Sequence, residues 1–261
     1  MYAFEIERPT TVAQAVEALK NEVAQELGGG QTLIPTLKQR LAAPEVLVSL
    51  SGIAEMQGIS VSEGTILIGG GVTHDDVAIG AMAYPTLAAL AGGIGDPAVR
   101  NRGTLGGSLA NNDPSACYPA AALASGATIT TNAREIQADD YFQGMFETAL
   151  DDGEIVVAVS FPIPEGASYQ KFVQPASRFA LVGVFVAKYA DGVRVAVTGA
   201  AEEGVFRWRE AEAALSADFS AAALEGLSHP AEGMIGDMHG SAEYRAHLIK
   251  VLASRAVVDM A

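Results

Sequence analysis

The stretch GGIGDPAVRNRGTLGGSLANNDPSACYPAAALASG, residues 92–126, holds seven glycines, two arginines and an Asn-Asn-Asp triplet before it turns apolar. Glycine lets the backbone approach a ligand closely and adopt positive φ. Consecutive backbone N–H groups then form a concavity that binds anions. A second glycine turn, GGGQTLIPTLK at residues 28–38, leads into a helical segment. Two such turns facing each other are able to hold the two phosphates of a dinucleotide, although either turn alone is also typical of an ordinary loop or helix end.

Two other nucleotide-binding signatures do not occur in the sequence. No G-x-G-x-x-G follows a predicted strand with an acidic residue about 20 positions later. No G-x-x-x-x-G-K-[ST] occurs either. A Rossmann fingerprint and a Walker A loop are therefore excluded.

The composition predicts a globular chain with a sizeable core. The 261 residues are 49% hydrophobic, yet no apolar run reaches the roughly 18 residues of a membrane span. The first residues lack the basic and apolar regions of a signal peptide. Cys117 is the single cysteine, which excludes an internal disulfide and cysteine-rich zinc or iron–sulfur sites. A cytoplasmic protein without a membrane span is expected.

The charge is strongly negative and unevenly placed. A net charge of −15 makes nucleic acid and anionic membranes poor partners. Residues 1–165 contain 7 Lys and Arg against 20 Asp and Glu. Four of those seven basic residues, Lys38, Arg40, Arg100 and Arg102, lie beside the two glycine turns. Arg100 and Arg102 either neutralise a phosphate or cross the lobe interface to Asp residues, and we expect this structural role for at least one of them.

The first part of the chain reads as a β-α-β-α-β unit with a parallel component. YAFEIERP is a predicted strand, and Thr11 caps a predicted helix that runs to about Gln25. A short strand, the first glycine turn, a helical segment and the strand EVLVSL follow. The next block begins with a hairpin across Glu63-Gly64 and continues with a helix capped by Thr73. His74 is expected to be a cap or a satisfied polar residue.

The pattern changes after Pro162 and Pro164, which predict a domain boundary. The second glycine turn, before it, is expected to lead through a loop into a helix near Pro114. Beyond about residue 166, two long β-rich runs precede an alanine-rich region and a final helix capped by Ser241. Its apolar face is predicted to carry Tyr244, Leu248, Val251 and Leu252. His229, His239 and His247 lack the spacing of metal ligands, and no metal site is predicted.

Several blocks together resemble a known family. GGGQTLIPTLKQRLAAPEVLVSL, GGGVTHDDVA, IGDPAVRNRGTLGGSLANNDPSACYPAAALASGA, ASRFALVGVFVA and SAEYRAHLIKVLASRAV occur in the order found in the FAD-binding (medium) flavoprotein subunit of molybdenum hydroxylases, of the xanthine dehydrogenase and carbon monoxide dehydrogenase type. The resemblance implies an α+β protein. A two-lobed FAD-binding fold of the vanillyl-alcohol-oxidase type is expected at 1–164, with lobes at about 1–57 and 58–164. A C-terminal α+β domain, an antiparallel sheet with helices, is expected at 165–261.

The resemblance also implies which residues hold FAD. The backbones of both loops would hold its pyrophosphate, and an aromatic residue and a lysine would lie near the isoalloxazine. By motif position, the implied residues are Gly29, Gly30, Gln31, Thr32 and Leu33 in the first loop, Thr104, Gly106 and Gly107 in the second, Asn111 and Asp113 on the ribityl and adenosine side, and Lys171 and Phe179 at the flavin. Related proteins with covalent FAD often have a histidine after the loop glycines. Gln31 occupies that position here, so non-covalent FAD is expected.

The implied function is electron transfer within a larger complex. Substrate would be oxidised on a large molybdopterin-binding subunit, and electrons would pass through a small 2Fe-2S subunit and this FAD to an external acceptor. No catalytic residue is then required of this chain. A self-sufficient FAD-dependent oxidoreductase of the same fold and a cofactor-free assembly module stay open as alternatives.

Overall fold

The computed structural model describes all 261 residues, in fourteen strands and ten α-helices. The first half contains β1 (Glu5–Glu7), α1 (Val12–Ala18), β2 (Ala24–Leu27), α2 (Leu33–Lys38), β3 (Val46–Ser49), β4 (Ile59–Ser62), β5 (Thr65–Gly69), α3 (His74–Gly80), α4 (Pro85–Gly92), α5 (Pro97–Arg100), α6 (Leu105–Asn111) and α7 (Tyr118–Ser125). The second half contains β6 (Thr128–Thr131), β7 (Glu135–Gln137), α8 (Ala138–Tyr141), β8 (Phe142–Gly144), β9 (Glu147–Thr148), β10 (Val156–Pro162), β11 (Gly166–Val173), β12 (Ala180–Tyr189), β13 (Gly192–Ala201), β14 (Gly204–Arg207), α9 (Arg209–Ala217) and α10 (Ala242–Asp259). The α+β class is confirmed.

The first sheet is the predicted parallel unit, with strand order β1-β3-β2. The predicted extent of its first helix is wrong, because α1 ends at Ala18 rather than near Gln25. The Asn21 side chain accepts a hydrogen bond from the Val23 amide at 3.3 Å, a local turn that competes with the helix. Gln25 then pairs with β3 as part of β2. Residues that were predicted to continue the helix, such as Gln25, therefore pair with β3 in the sheet instead.

The second sheet is antiparallel, in the order β4-β5-β10-β6-β7. The predicted hairpin is confirmed: Glu63 and Gly64 both have positive φ, 51° and 75°, as a two-residue turn of this hand requires. Thr73 caps α3 as predicted, accepting the amide hydrogen of Asp76 at 3.2 Å. The main core lies between this sheet and helices α3, α4, α6 and α7.

The second glycine turn is shorter than predicted, because a helix begins inside it. Thr104 caps α6 by accepting the Gly107 amide hydrogen at 3.1 Å, so Gly106 and Gly107 lie in the first helical turn. The helix expected near Pro114 begins only at Tyr118. The capping hydroxyl supplies an acceptor at the helix start that outweighs the low helix propensity of two glycines.

The third sheet, β11-β12-β13-β14, is antiparallel and carries α9 and α10. Ser241 caps α10 as predicted. Leu248 and Leu252 are buried as expected, but Tyr244 is 41% exposed and the charged Arg245 is 3% exposed. The buried face is therefore rotated by about one residue, which on an α-helix is about 100°. None of the helices has the length and apolar character needed to cross a membrane.

Candidate functional site

The first glycine turn joins β2 to α2 and carries a row of unpaired amides. No backbone N–H group of residues 28–33 donates a hydrogen bond within the chain. The first paired amide is that of Ile34, which donates to the Gly30 carbonyl at 3.1 Å. Gly30 has a φ of +73°, which turns successive N–H groups toward one side. Such a concavity of amides fits a phosphate group.

The second turn has little free backbone. The amide of Gly106 donates to the Gly70 carbonyl at 2.9 Å, and that of Gly107 is held by the Thr104 hydroxyl. A methyl group on Gly106 would lie 2.7 Å from the Gly70 carbonyl oxygen. Glycine is therefore required at Gly106 by the packing of α6 against the end of β5, whatever else the turn binds.

The two turns contact each other, as the sequence predicts. A methyl group on Gly29 would overlap the carbonyl oxygen of Arg102, and one on Gly28 would lie 3.2 Å from the Thr104 hydroxyl oxygen. The amides of the first turn thus lie beside the capped start of α6. A ligand bound to the amides of the first turn would therefore lie next to the second turn.

His74 supports the second turn from behind. Its amide donates to the Gly103 carbonyl at 2.9 Å, and its ring lies 5.4 Å from that of Tyr118, centroid to centroid. Burial, with a smaller contribution from the charge of Arg100, lowers the pKa of His74 from 6.5 to about 4. The prediction for this residue is wrong: Thr73 is the cap, and the buried Nδ1 of His74 has no hydrogen-bond partner.

The two arginines beside this turn behave differently. Arg100 donates from Nη1 to the carbonyls of Ile94 and Gly95, both at 3.1 Å. It therefore fixes the turn before α5, a structural role, but its partners are local carbonyls and not the Asp residues across a lobe interface that the sequence led us to expect. The Arg102 side chain is exposed and has neither a hydrogen-bond partner nor an ion pair.

The far end of α6 leads to a cavity. The helix spans seven residues, about 10 Å at 1.5 Å per residue, from the glycine turns to Asn111. Asn111 is half-buried and makes no side-chain hydrogen bond, whereas its neighbour Asn112 is buried. Asn112 donates to the carbonyls of Gly144 and Glu147, both at 2.8 Å, and so anchors the β8–β9 hairpin.

The cavity, of about 220 Å³, brings together two of the predicted residues, Asp113 and Phe179. Phe179 is 51% exposed, and the Asp113 carboxylate accepts the Ser115 amide hydrogen at 2.8 Å. Ser177 and Asp237 also line the cavity. An aromatic face with several hydroxyl and carboxylate groups suits a planar ring that bears a polyhydroxyl chain.

Lys171 lies apart from this cavity lining. Its ammonium group donates to the Gly93 carbonyl at 3.0 Å, and its Nζ lies 3.5 Å from Cys117 Sγ. Lys171 therefore ties β11 to the end of α4 and the start of α7. These contacts hold its ammonium group at one position between β11, α4 and α7.

Arg245 is the residue at this site that the sequence pattern missed. Its guanidinium donates to the carbonyls of Leu181 and Gly199 at 2.7 and 2.8 Å, and to the Asp237 carboxylate at 2.8 Å. Arg245 also lines the cavity. A basic residue inside the apolar face of a predicted helix was the available signal, because such a charge is buried only when it is paired.

Comparison with known proteins identifies a matching family and related chains. The family described as "FAD binding domain in molybdopterin dehydrogenase" matches residues 2–164. The carbon monoxide dehydrogenase medium chain of Afipia carboxidovorans is 33% identical, over 98% of this chain and 96% of the relative. The nicotine 6-hydroxylase medium subunit of Paenarthrobacter nicotinovorans is 32% identical, over 96% and 95%.

A solved structure agrees over the same length. The fold of the quinoline 2-oxidoreductase from Pseudomonas putida 86 superposes on this chain with a TM-score of 0.89. The two sequences are 30% identical, and the match covers 99% of this chain and 97% of that one. The similarity therefore includes the third sheet as well as the two glycine turns.

Proposed function

Because this chain belongs to the family of FAD-binding medium subunits of molybdenum hydroxylases, we propose that it carries electrons between a partner chain and an external acceptor. It is an oxidoreductase subunit, and FAD is its cofactor. In the proposed role, electrons arrive from iron–sulfur clusters on a small 2Fe-2S subunit. They derive from substrate oxidised on a large molybdopterin-binding subunit.

The observation that carries the proposal is the contact between the two glycine turns. The unpaired amides of residues 28–33 would hold the pyrophosphate of FAD, beside the Thr104 cap of α6. In this proposal Gly29, Gly30, Gln31, Thr32 and Leu33 supply backbone donors. Gly106 and Gly107 allow α6 to pack closely. Their own amides are already paired within the chain, so they do not serve as donors to the ligand.

The remaining residues would hold the flavin end. We assign Asn111 and Asp113 to the hydroxyl-bearing part of FAD, and Phe179 to the ring, because Asp113 and Phe179 line one cavity. Lys171, which lies outside this cavity lining and contacts Gly93, is assigned to the flavin side by its motif position alone. Bound FAD supplies reversible uptake and release of electrons. The surrounding residues bind it, orient it and shield it from water.

The proposal assigns residues 1–164 to FAD binding and 165–261 to the C-terminal domain. It also assigns non-covalent attachment, since Gln31 replaces the histidine of covalent relatives. Acid precipitation should therefore release all of the FAD into the supernatant. FAD retained in the washed precipitate would contradict non-covalent binding.

The first experiment measures FAD content of the chain, expressed alone and with its partner chains. An equimolar amount of FAD is expected, and a chain without FAD in both preparations would refute the proposal. Gly29→Ala should abolish FAD binding, because its methyl group forces the two turns apart. Gly226→Ala is the matched control, since nothing lies within 4 Å of a methyl group there.

The second experiment separates electron transfer from independent catalysis. The FAD-loaded chain alone should not oxidise the substrate of the assembled complex, because substrate oxidation belongs to the partner chain. Substantial turnover by the isolated chain would instead favour a self-sufficient flavin oxidoreductase. Loss of turnover by the complex when FAD-free chain is incorporated would support the electron-transfer role.

A further inference from the structure

The second glycine turn contributes to an anion site differently from the first. The amide of Gly103 donates to the Val99 carbonyl at 2.7 Å, and that of Leu105 to the Val72 carbonyl at 3.0 Å. The amides of Gly106 and Gly107 are also paired. Thr104 is the one residue between 103 and 107 whose amide donates to nothing in the chain. A pyrophosphate in the first turn therefore meets few backbone donors from the second.

Arg102 lies where the two turns meet. Its carbonyl oxygen occupies the space that a side chain at Gly29 would need, so the backbone of Arg102 packs against the first turn. Its own amide donates to the Val99 carbonyl at 3.1 Å. The side chain is exposed and without an acceptor or carboxylate partner. A fixed backbone with a free cationic side chain is a suitable arrangement for reaching a ligand held in the first turn.

Few cations of this chain are free in this way. Most of the Lys and Arg side chains make an ion pair, a hydrogen bond to a carbonyl, or a contact with an aromatic ring. Those that make none of these are Arg8, Lys38, Arg102, Arg178 and Arg255. Of these, Arg102 is the one that adjoins both glycine turns. Residues 1–165 contain 20 Asp and Glu against 7 Lys and Arg, so few cations are available there to pair with an anionic ligand.

We infer that the Arg102 side chain is the second turn's principal contribution to anion binding, pairing with the pyrophosphate of FAD held by the first turn. The inference rests on the proposed function. Guanidinium forms charge-assisted hydrogen bonds to phosphate in a bidentate geometry that lysine does not match. Arg102 thereby favours a ligand with two phosphates over a flavin that has none.

The experiment compares Arg102→Gln with Arg255→Gln in the full chain. Arg255 is an equally exposed, unpaired arginine on α10, so its variant removes the same charge elsewhere. We expect Arg102→Gln to raise the Kd for FAD about tenfold, which is about 1.4 kcal/mol. The Kd for ADP, measured by competition with FAD, should rise by the same factor, because ADP carries the same pyrophosphate. Arg255→Gln should leave both values unchanged.

Three further measurements distinguish charge pairing from a structural role. The dependence of log Kd on log salt concentration should be shallower in Arg102→Gln, because one ion contact is lost. Arg102→Lys should restore part of the affinity, and the unfolding midpoint of the FAD-free chain should be unchanged in Arg102→Gln. A Kd within twofold of the Arg255→Gln value, or an unchanged salt dependence, overturns the inference. A wild-type chain that binds no FAD refutes the proposed function, and the inference with it.

Discussion

The buried His74 makes the stability of this chain depend on pH in a defined window. Its ring is 5% exposed, lies against Tyr118 and leaves Nδ1 without a partner. Burial, and then the charge of Arg100, lowers its pKa to about 4, whereas an unfolded histidine titrates near 6.5. Between these two pH values, the His74 side chain therefore stays neutral in the folded state and binds a proton in the unfolded state. Stability is fully present above about pH 6.5 and is lost as pH falls toward about 4.

The magnitude follows from the difference in pKa. A shift of one unit corresponds to about 1.4 kcal/mol, so the full loss is about 3 kcal/mol, with about 2 kcal/mol lost by about pH 5. The assay is urea unfolding of the FAD-free chain between about pH 7 and about pH 5. His74→Phe, which keeps a ring against Tyr118 but cannot titrate, should lose about 2 kcal/mol less over this range than the wild type.

His247→Phe is the matched control, because it makes the same substitution at an exposed histidine on α10. Equal pH slopes for the wild type and His74→Phe would refute the reasoning, since His74 would then titrate alike in both states. Because the ring lies against Gly103, protonation should also loosen the second turn. FAD retention should therefore decline over the same pH window.

Three other changes test single contacts. Gly106→Ala should lower the free energy of unfolding by about 2 kcal/mol even without FAD, because its methyl group meets the Gly70 carbonyl, and calorimetry of the FAD-free chain checks this. Asn112→Ala should cost about 2 kcal/mol, since the buried Asn112 amide no longer donates to the two carbonyls of the β8–β9 hairpin; an unchanged urea midpoint would contradict it. Hydrogen bonding to Arg134 first, against a smaller opposing effect of burial, lowers the pKa of Glu154 to about 2, so its stabilisation is present above about pH 4.5 and lost toward about pH 2. Glu154→Gln should thus be about 2 kcal/mol less stable than the wild type at neutral pH and equally stable near pH 2. Unfolding of both proteins, followed by circular dichroism as the pH is lowered, would test this.

Local chemistry explains the parts of the fold that the sequence predicts well. The Glu63-Gly64 turn, the Thr73 and Ser241 caps and the parallel first unit depend on neighbouring residues, whose signals are short and specific. The start of α6 carried such a signal too, because Thr104 precedes Gly107 at capping distance. Two adjacent glycines argue against a helix, but Gly106 packs closely on Gly70 and Gly107 lies against the Thr104 hydroxyl, where a side chain would not fit.

Distant partners explain what the sequence left undetermined. Arg245 is buried by carbonyls of β12 and β13, 64 and 46 residues away, and the helical pattern that signals its burial does not identify these partners. Both glycine turns have a similar composition, so the sequence does not distinguish the free amides of one from the paired amides of the other. The difference arises because the carbonyls of Val72 and Gly70 accept hydrogen bonds from the amides of residues 105 and 106 in the second turn, whereas no carbonyl accepts from the amides of residues 28–33 in the first. The cavity joining Asp113 and Phe179 likewise exists only after the third sheet packs.

The contact of Gly29 with Arg102 has a consequence for how the molecule comes apart. The core cluster beneath the first sheet has only six buried apolar residues, one of which, Ile155, belongs to the segment leading into β10. A unit this small is expected to open before the rest of the chain. A ligand bound to both turns would hold this unit against the rest of the chain. It would stabilise the folded state by an amount that grows with the logarithm of the ligand concentration over its Kd. Amide hydrogen exchange in β1, β2 and β3 should therefore slow most when FAD is added, so cofactor loss and local unfolding of the N-terminal sheet become one event.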